Sequence, residues 1–159
     1  MADNEDSSGL PSVEWTKLLG SAEEDKSFGS TIDSNGAIYI CGNTYGDLDG
    51  EQNNGSSDAF ISKYNSNGDK QWTKLLGSSG DDVSSEVTIG LDDSIYITGV
   101  INDDAFIAKY NTDGDQQWTK LLSSPQYDLA YGLTTGLDGS IYISGLTSGD
   151  LDDQTNSGG

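Results

Sequence analysis

The chain has 159 residues, enough for one ordinary domain, and carries 27 acidic residues against seven lysines, with no arginine and no histidine, for a formal charge of −20. Such a surface repels nucleic acid and anionic membranes, and the missing arginine removes the planar fork that grips phosphate. Without histidine there is no Ser-His-Asp triad, no Cys-His pair and no imidazole metal ligand.

Residues 1–13, MADNEDSSGLPSV, have no apolar periodicity and are expected to be a flexible start. They lack the basic start and apolar core of a Sec-type signal peptide, and no stretch reaches the ~20 apolar residues of a membrane span. From Glu14 onward the pattern changes to short runs rich in Ile, Tyr, Phe, Trp and Leu, bounded by Gly, Asn and Asp, which reads as strands and turns.

The first run, WTKLLGS at Trp15, returns at Trp72 and, as WTKLLSS, at Trp118, spacings of 57 and 46 residues. AIYICG, SIYITG and SIYISG, with their Ile-Tyr-Ile cores at Ile38, Ile95 and Ile141, keep the same two spacings. DAFISKYNSNGD at Asp58 and DAFIAKYNTDGD at Asp104 are 46 apart. Three landmarks in one register establish an internal repeat. The 11-residue difference falls at one place: TYGDLDGEQNNGSSDAF in the first copy is VINDDAF in the second, and the long form returns as LTSGDLDDQTNSGG. That is a rim loop of variable length on an unchanged unit.

Each unit predicts four strands: a short run before a turn, the Ile-Tyr-Ile run, Asp-Ala-Phe-Ile-x-Lys-Tyr-Asn, and Trp-Thr-Lys-Leu-Leu. Asn35-Gly36, Asn67-Gly68, Asp113-Gly114 and Asp138-Gly139 supply the positive φ that tight hairpins need. A four-stranded antiparallel meander repeating every 40–50 residues predicts an all-β chain of β-propeller blades. Strands such as AIYIC and AFISKY are apolar on both faces, and stacking between two neighbouring blades buries both. The expected order is a last blade strand over 14–20, a blade over 21–77, a blade over 78–123 and a partial blade over 124–159. About two and a half blades are not expected to close a ring within one chain.

DAFIAKYNTDGDQQWTKLL, preceded by GSIYISG and GDLDGEQNNGSSDAF, resembles the bacterial SBBP β-propeller repeat family, frequent in long cyanobacterial proteins; the resemblance spans 14–159. It implies a propeller, often in large secreted or cell-surface proteins, and no catalytic residues. The functional expectation is a non-catalytic scaffold for protein or surface interaction and adhesion.

Two sets of residues are candidates for binding. Asp47, Asp49 and Asn53, and their counterparts Asp150, Asp152 and Asn156, offer oxygens on alternate positions, with Gly50 allowing a sharp turn in the first loop, as calcium sites do; the same residues also read as an acidic Asx-turn loop. Trp15, Trp72 and Trp118 could stack on sugars or pack against a neighbouring blade. Together they define the alternative, a calcium-dependent, lectin-like carbohydrate-binding module. A further alternative is a self-associating propeller fragment, its partners copies of itself, because unpaired strand edges favour association. Cys41, the only cysteine, has Thr98 and Ser144 as counterparts and reads as a small strand residue.

Overall fold

A computed structural model describes residues 14–157; the segment 1–13 expected to be flexible and residues 158–159 lie outside the described residues. Strands β1 (Asp25–Ile32), β2 (Ile38–Thr44), β3 (Asp58–Tyr64) and β4 (Lys70–Leu76) form one antiparallel meander. The second is β5 (Val83–Ile89), β6 (Ile95–Ile101), β7 (Asp104–Tyr110) and β8 (Gln116–Leu122). The third sheet has two strands, β9 (Asp128–Thr135) and β10 (Ile141–Thr147). These are two four-stranded blades and half of a third in an open array, with no helix among the described residues.

The turns differ in kind from the expected tight hairpins. In the β1–β2 connection Asp33 N donates to Ala37 O at 2.9 Å and Gly36 N to Asp33 O at 3.0 Å. Only the glycine is left-handed, at φ 81° for Gly36, 78° for Gly68, 87° for Gly114 and 83° for Gly139; the preceding Asn or Asp is not. The unit is a type I turn followed by a left-handed residue, a three-residue hairpin loop. A side-chain oxygen caps it: Asn65 Oδ1 accepts from Asn67 N at 3.0 Å and Asp69 N at 2.8 Å. Asp93, φ 59°, does the glycine's work in the β5–β6 turn. Asn102 and Asp103, φ 51° and 67°, form the two-residue turn that replaces the long loop in the second blade.

The core lies between blades. Alternation along β2 sends Tyr39 and Cys41 toward the second blade, where they join Ala59 and Ile61 against Val87, Ile95, Ile97, Phe106, Ala108 and Tyr110. The first strand of each blade makes the junction: β5 packs on β1, β2 and β3, and β9 on β5, β6 and β7. Ser84 Oγ donates across it to Gly42 O at 3.3 Å and Phe60 O at 3.0 Å, and Thr135 Oγ1 to Ile89 O at 2.9 Å. Burial pushes the Cys41 thiol up to about 11, and the neutral thiol packs in the core between the blades. Each first strand carries an irregularity opposite a glycine of the second strand. A Cβ at Gly42, Gly99 or Gly145 would land on the carbonyl oxygen of Lys26, Val83 or Leu129.

Residues 14–20 form no strand, contrary to the sequence expectation. A fourth strand pairs with a third, as β4 does with β3, and no third strand precedes Trp15 among the described residues. The packing half of the expectation is present. Trp15, Lys17 and Leu19 line a cavity with Ile38, Ile40 and Tyr64, so alternate residues face the first blade as a fourth strand would.

Candidate functional site

The 45–57 loop leaves β2 and returns to β3, and its own side chains close it. Asp47 Oδ1 accepts from Asn53 N at 2.9 Å. Asn53 Nδ2 donates to Thr44 O at 3.3 Å, and Asn53 Oδ1 accepts from Gly55 N at 2.8 Å. Leu48 is fully buried and its backbone pairs with Glu51 in both directions at 3.0 Å, which anchors the loop to the blade. The tip is Asp49-Gly50, at φ 56° and 87°. Asp49 is ion-paired with Lys70 and accepts from Thr73 Oγ1 at 2.5 Å. Burial favours its neutral form, but the bonds from Lys70 and Thr73 outweigh this and hold the carboxyl below the usual range. Lys74 pairs with Glu51 at 2.8 Å.

The same construction recurs after β10. Asp150 Oδ1 accepts from Asn156 N at 2.7 Å, Leu151 and Gln154 pair through their backbones at 3.1 and 2.9 Å, and Asp152 and Asp153 have φ of 48° and 60°. The third sheet contains no lysine, so Asp152 has no equivalent of Lys70. Of the six candidate calcium ligands, Asp47 with Asn53 and Asp150 with Asn156 are brought together as loop-closing pairs. Asp49 and Asp152 stand at the tips. Among the described residues no group of three or more His, Cys, Asp or Glu is arranged to hold a metal ion.

The tryptophans reach from one blade to the next. The Trp72 ring covers Gly114 of the following blade, where a Cβ would come within 2.9 Å of it, and its Nε1 donates to Thr112 O at 3.2 Å. Trp15 takes the same place over Gly68. Within their own blades Trp72 sits 6.1 Å from Tyr39, and Trp118 sits 6.0 Å from Tyr96 with Lys120 Nζ 5.3 Å over its ring. Trp72 and Trp118 are half-buried and Trp15 is 37 % exposed. The rings of Trp15 and Trp72 are used for packing on a glycine turn of the following blade.

Sequence reasoning passed over an enclosed carboxylate at the start of each blade, fully buried at Asp82 and Asp128 and half-buried at Asp25. Ser21 N donates to Asp25, Ser78 N to Asp82 and Ser124 N to Asp128, in the register of the repeat. Ser-x-x-x-Asp is visible at all three places, but 27 acidic residues hide it. Asp82 is fully buried and satisfied, accepting also from Ser78 Oγ at 2.9 Å and Asn102 N at 3.1 Å. Asp58, at the start of β3, is fully buried too, and repeats the clamp with Asn54 N, which donates to Oδ2 at 3.1 Å. Its Oδ1 is enclosed without a hydrogen-bond partner. Both carboxylates turn toward Gly77, where a Cβ would strike Asp58 and lie 2.9 Å from Asp82 Oδ2. Burial, and then the negative charge of Asp82, raise the Asp58 carboxyl above its usual value despite the opposing bond from Asn54.

Residues 14–49 match the family model of the SBBP beta-propeller repeat. No curated protein sequence matches the chain. Among solved structures it is similar to a catalytically inactive virginiamycin B lyase from Staphylococcus aureus with quinupristin. The TM-score is 0.58 at 20% identity over 88% of this chain, which spans 43% of the length of that lyase. At that identity the likeness is one of fold.

Proposed function

We propose that this β-propeller repeat scaffold works by binding and not by catalysis. The observation that carries the reading is the outward face of the third sheet. Tyr142 and Leu146 are 56% and 50% exposed, while Tyr39, which holds the position of Tyr142 in the first blade, is fully buried. An apolar face rimmed by acidic turns is the mark of an interaction surface. The chemistry of the rest agrees: the one thiol is buried and protonated, and the buried carboxylates are enclosed away from solvent. A role at a cell surface or outside the cell rests on the family resemblance alone. The test is turnover. Chromogenic esters, glycosides and phosphates incubated with stoichiometric chain are expected to stay intact. Turnover that vanished on a single carboxylate substitution would overturn the reading.

The calcium-dependent, carbohydrate-binding alternative is favoured by one observation, that both Asp-Leu-Asp loops fold alike with an acidic tip at the rim. Calcium titrated into chelator-treated protein would raise the melting temperature by linkage if the loops bind it, and the rise would vanish in the Asp47→Asn, Asp49→Asn variant. Glycan binding that needs calcium would then put the lectin-like reading first.

A further inference from the structure

The blade junction is made twice within the chain, and among the described residues each of its two halves is also present once with no blade seated on it, Trp15, Lys17 and Leu19 covering only part of the first blade's free side. The receiving half is the face carrying Tyr39 and Cys41 in the first blade and Tyr96 and Thr98 in the second, all 8% exposed or less. Its third copy, Tyr142 and Ser144, is exposed. The inserting half is the flank of a first strand. Ser84 and Ala130 hold one position on β5 and β9 and are at most 1% exposed. Their counterpart on β1 is Ser27, which is exposed, next to Phe28 at 56%. Ser84 Oγ bonds to the preceding blade, whereas Ser27 Oγ turns back to Cys41 O of its own sheet at 3.3 Å.

We infer that these two faces are complementary and that the partner of the third sheet is a second copy of this chain. This rests on the scaffold reading and names the partner of the same surface. β1 of one copy seats on β9 and β10 of the next, as β5 seats on β1 and β2 and β9 on β5 and β6. Ser27 of one copy then faces Ser144 of the other, in the place where Ser84 faces Cys41, whose Sγ lies 3.9 Å from Ser84 O. The contact is heterologous, since the two surfaces are different parts of the chain. Each copy carries a charge of −20, so association strengthens as salt screens the repulsion.

The experiment uses the full chain with Cys41→Ser, a change that Ser144 already carries at the equivalent position. Ser27→Cys and Ser144→Cys are introduced separately, and a short bis-maleimide is added to each variant alone and to the mixture. A covalent dimer that forms in the mixture well above either variant alone, and rises with salt, is expected. Tyr142→Glu in the Ser144→Cys chain should lower its yield at least ~10-fold, as loss of a central anchor does, with an unchanged melting curve. Equal dimer from either variant alone overturns the pairing, because it reports a like-with-like contact. A monomeric mass by light scattering at all concentrations and salts, with no adduct, overturns self-association altogether. Either failure leaves the scaffold reading to its own turnover test.

Discussion

Asp58→Asn should make the protein more stable. Asp58 and Asp82 are both enclosed, and both reach the same point beside Gly77, so their nearest oxygens are at most ~5 Å apart, where two unit charges repel by ~3 kcal/mol at an effective dielectric of ~20. Among the described residues no salt bridge reaches either of them; those of this region join Lys70 to Asp49 and Lys74 to Glu51. An amide keeps the shape, keeps an acceptor for Asn54 N, and adds a donor aimed at Asp82. Loss of the charge-assisted bond from Asn54 N offsets part of the relieved repulsion, so the expected gain is about 1–2 kcal/mol at pH 8. The pH dependence has a definite sign. A carboxyl raised in the fold contributes stability that is complete below its unfolded value, 3.8, and is lost as pH rises through the higher folded value. The advantage of Asp58→Asn should therefore grow as the pH rises from 3.8 through that folded value. Urea unfolding followed by tryptophan fluorescence measures it, and for a chain of this size the gain corresponds to ~2–8 °C in melting temperature. A variant less stable than the parent at pH 8 would refute the reasoning. It would mean that the charged Oδ1 holds a favourable partner, and a calcium titration of parent and variant would then show whether that partner is a cation.

Four further outcomes are expected. Gly99→Ala drives a methyl group onto the Val83 carbonyl with Ser84 Cα 2.9 Å away, and should lose about 3 kcal/mol in chemical denaturation; full stability would mean the β5 irregularity is soft. Trp72→Phe removes the Nε1 bond to Thr112 but keeps an aromatic face on Gly114 and Tyr39, a loss of about 1 kcal/mol, against about 3 kcal/mol for Trp72→Ala, read from melting temperatures. Asp93→Gly relieves a side chain at φ 59° and should gain ~0.5–1 kcal/mol, matching its glycine counterparts Gly36 and Gly139. Asp92, held down to about 2 by its bond from Lys109, contributes stability that is present above 3.8 and is lost as pH falls toward 2. Because Asp92 is 57% exposed, Lys109→Met should cost below ~1 kcal/mol and nothing in molar salt.

Strand order was legible because its signals are local and repeated. The Ile-Tyr-Ile and Asp-Ala-Phe runs carry their own alternation, and the glycine of each Asn-Gly or Asp-Gly turn marks its hairpin. What failed depended on partners distant in sequence. Residues 14–20 have the letters of β4 and β8, yet a strand exists only beside another strand, and the segment keeps the packing of Trp15 without the pairing. The Asn of Asn-Gly was credited with a left-handed conformation that only the glycine adopts, because turn type depends on loop length as well as on the two letters. At the rim, Asp47 and Asn53 were picked for their oxygens, and the structure joins them through a backbone bond. Burial of Asp58 was invisible: Asp104 carries the same motif letters, and only the longer loop, with Asn54 bonded to the carboxylate, encloses Asp58 completely.

The two forms of the second connection leave the sheet unaltered. Thr44 faces Asp58 across a 13-residue loop, and Ile101 faces Asp104 across two residues, yet both pairs occupy the same place in their ladders. The long form is tied down by its own side chains, Leu48 by burial in the blade and Asp49 and Glu51 by their bonds to β4. Strand pairing therefore places no demand on what is spelled between Thr44 and Asp58 beyond a means of return. Foreign peptides grafted at the Asn102-Asp103 turn would be held at a fixed distance and orientation from those at the 45–57 loop, which makes the rim a display surface whose spacing is set by the stack and whose content is free to vary.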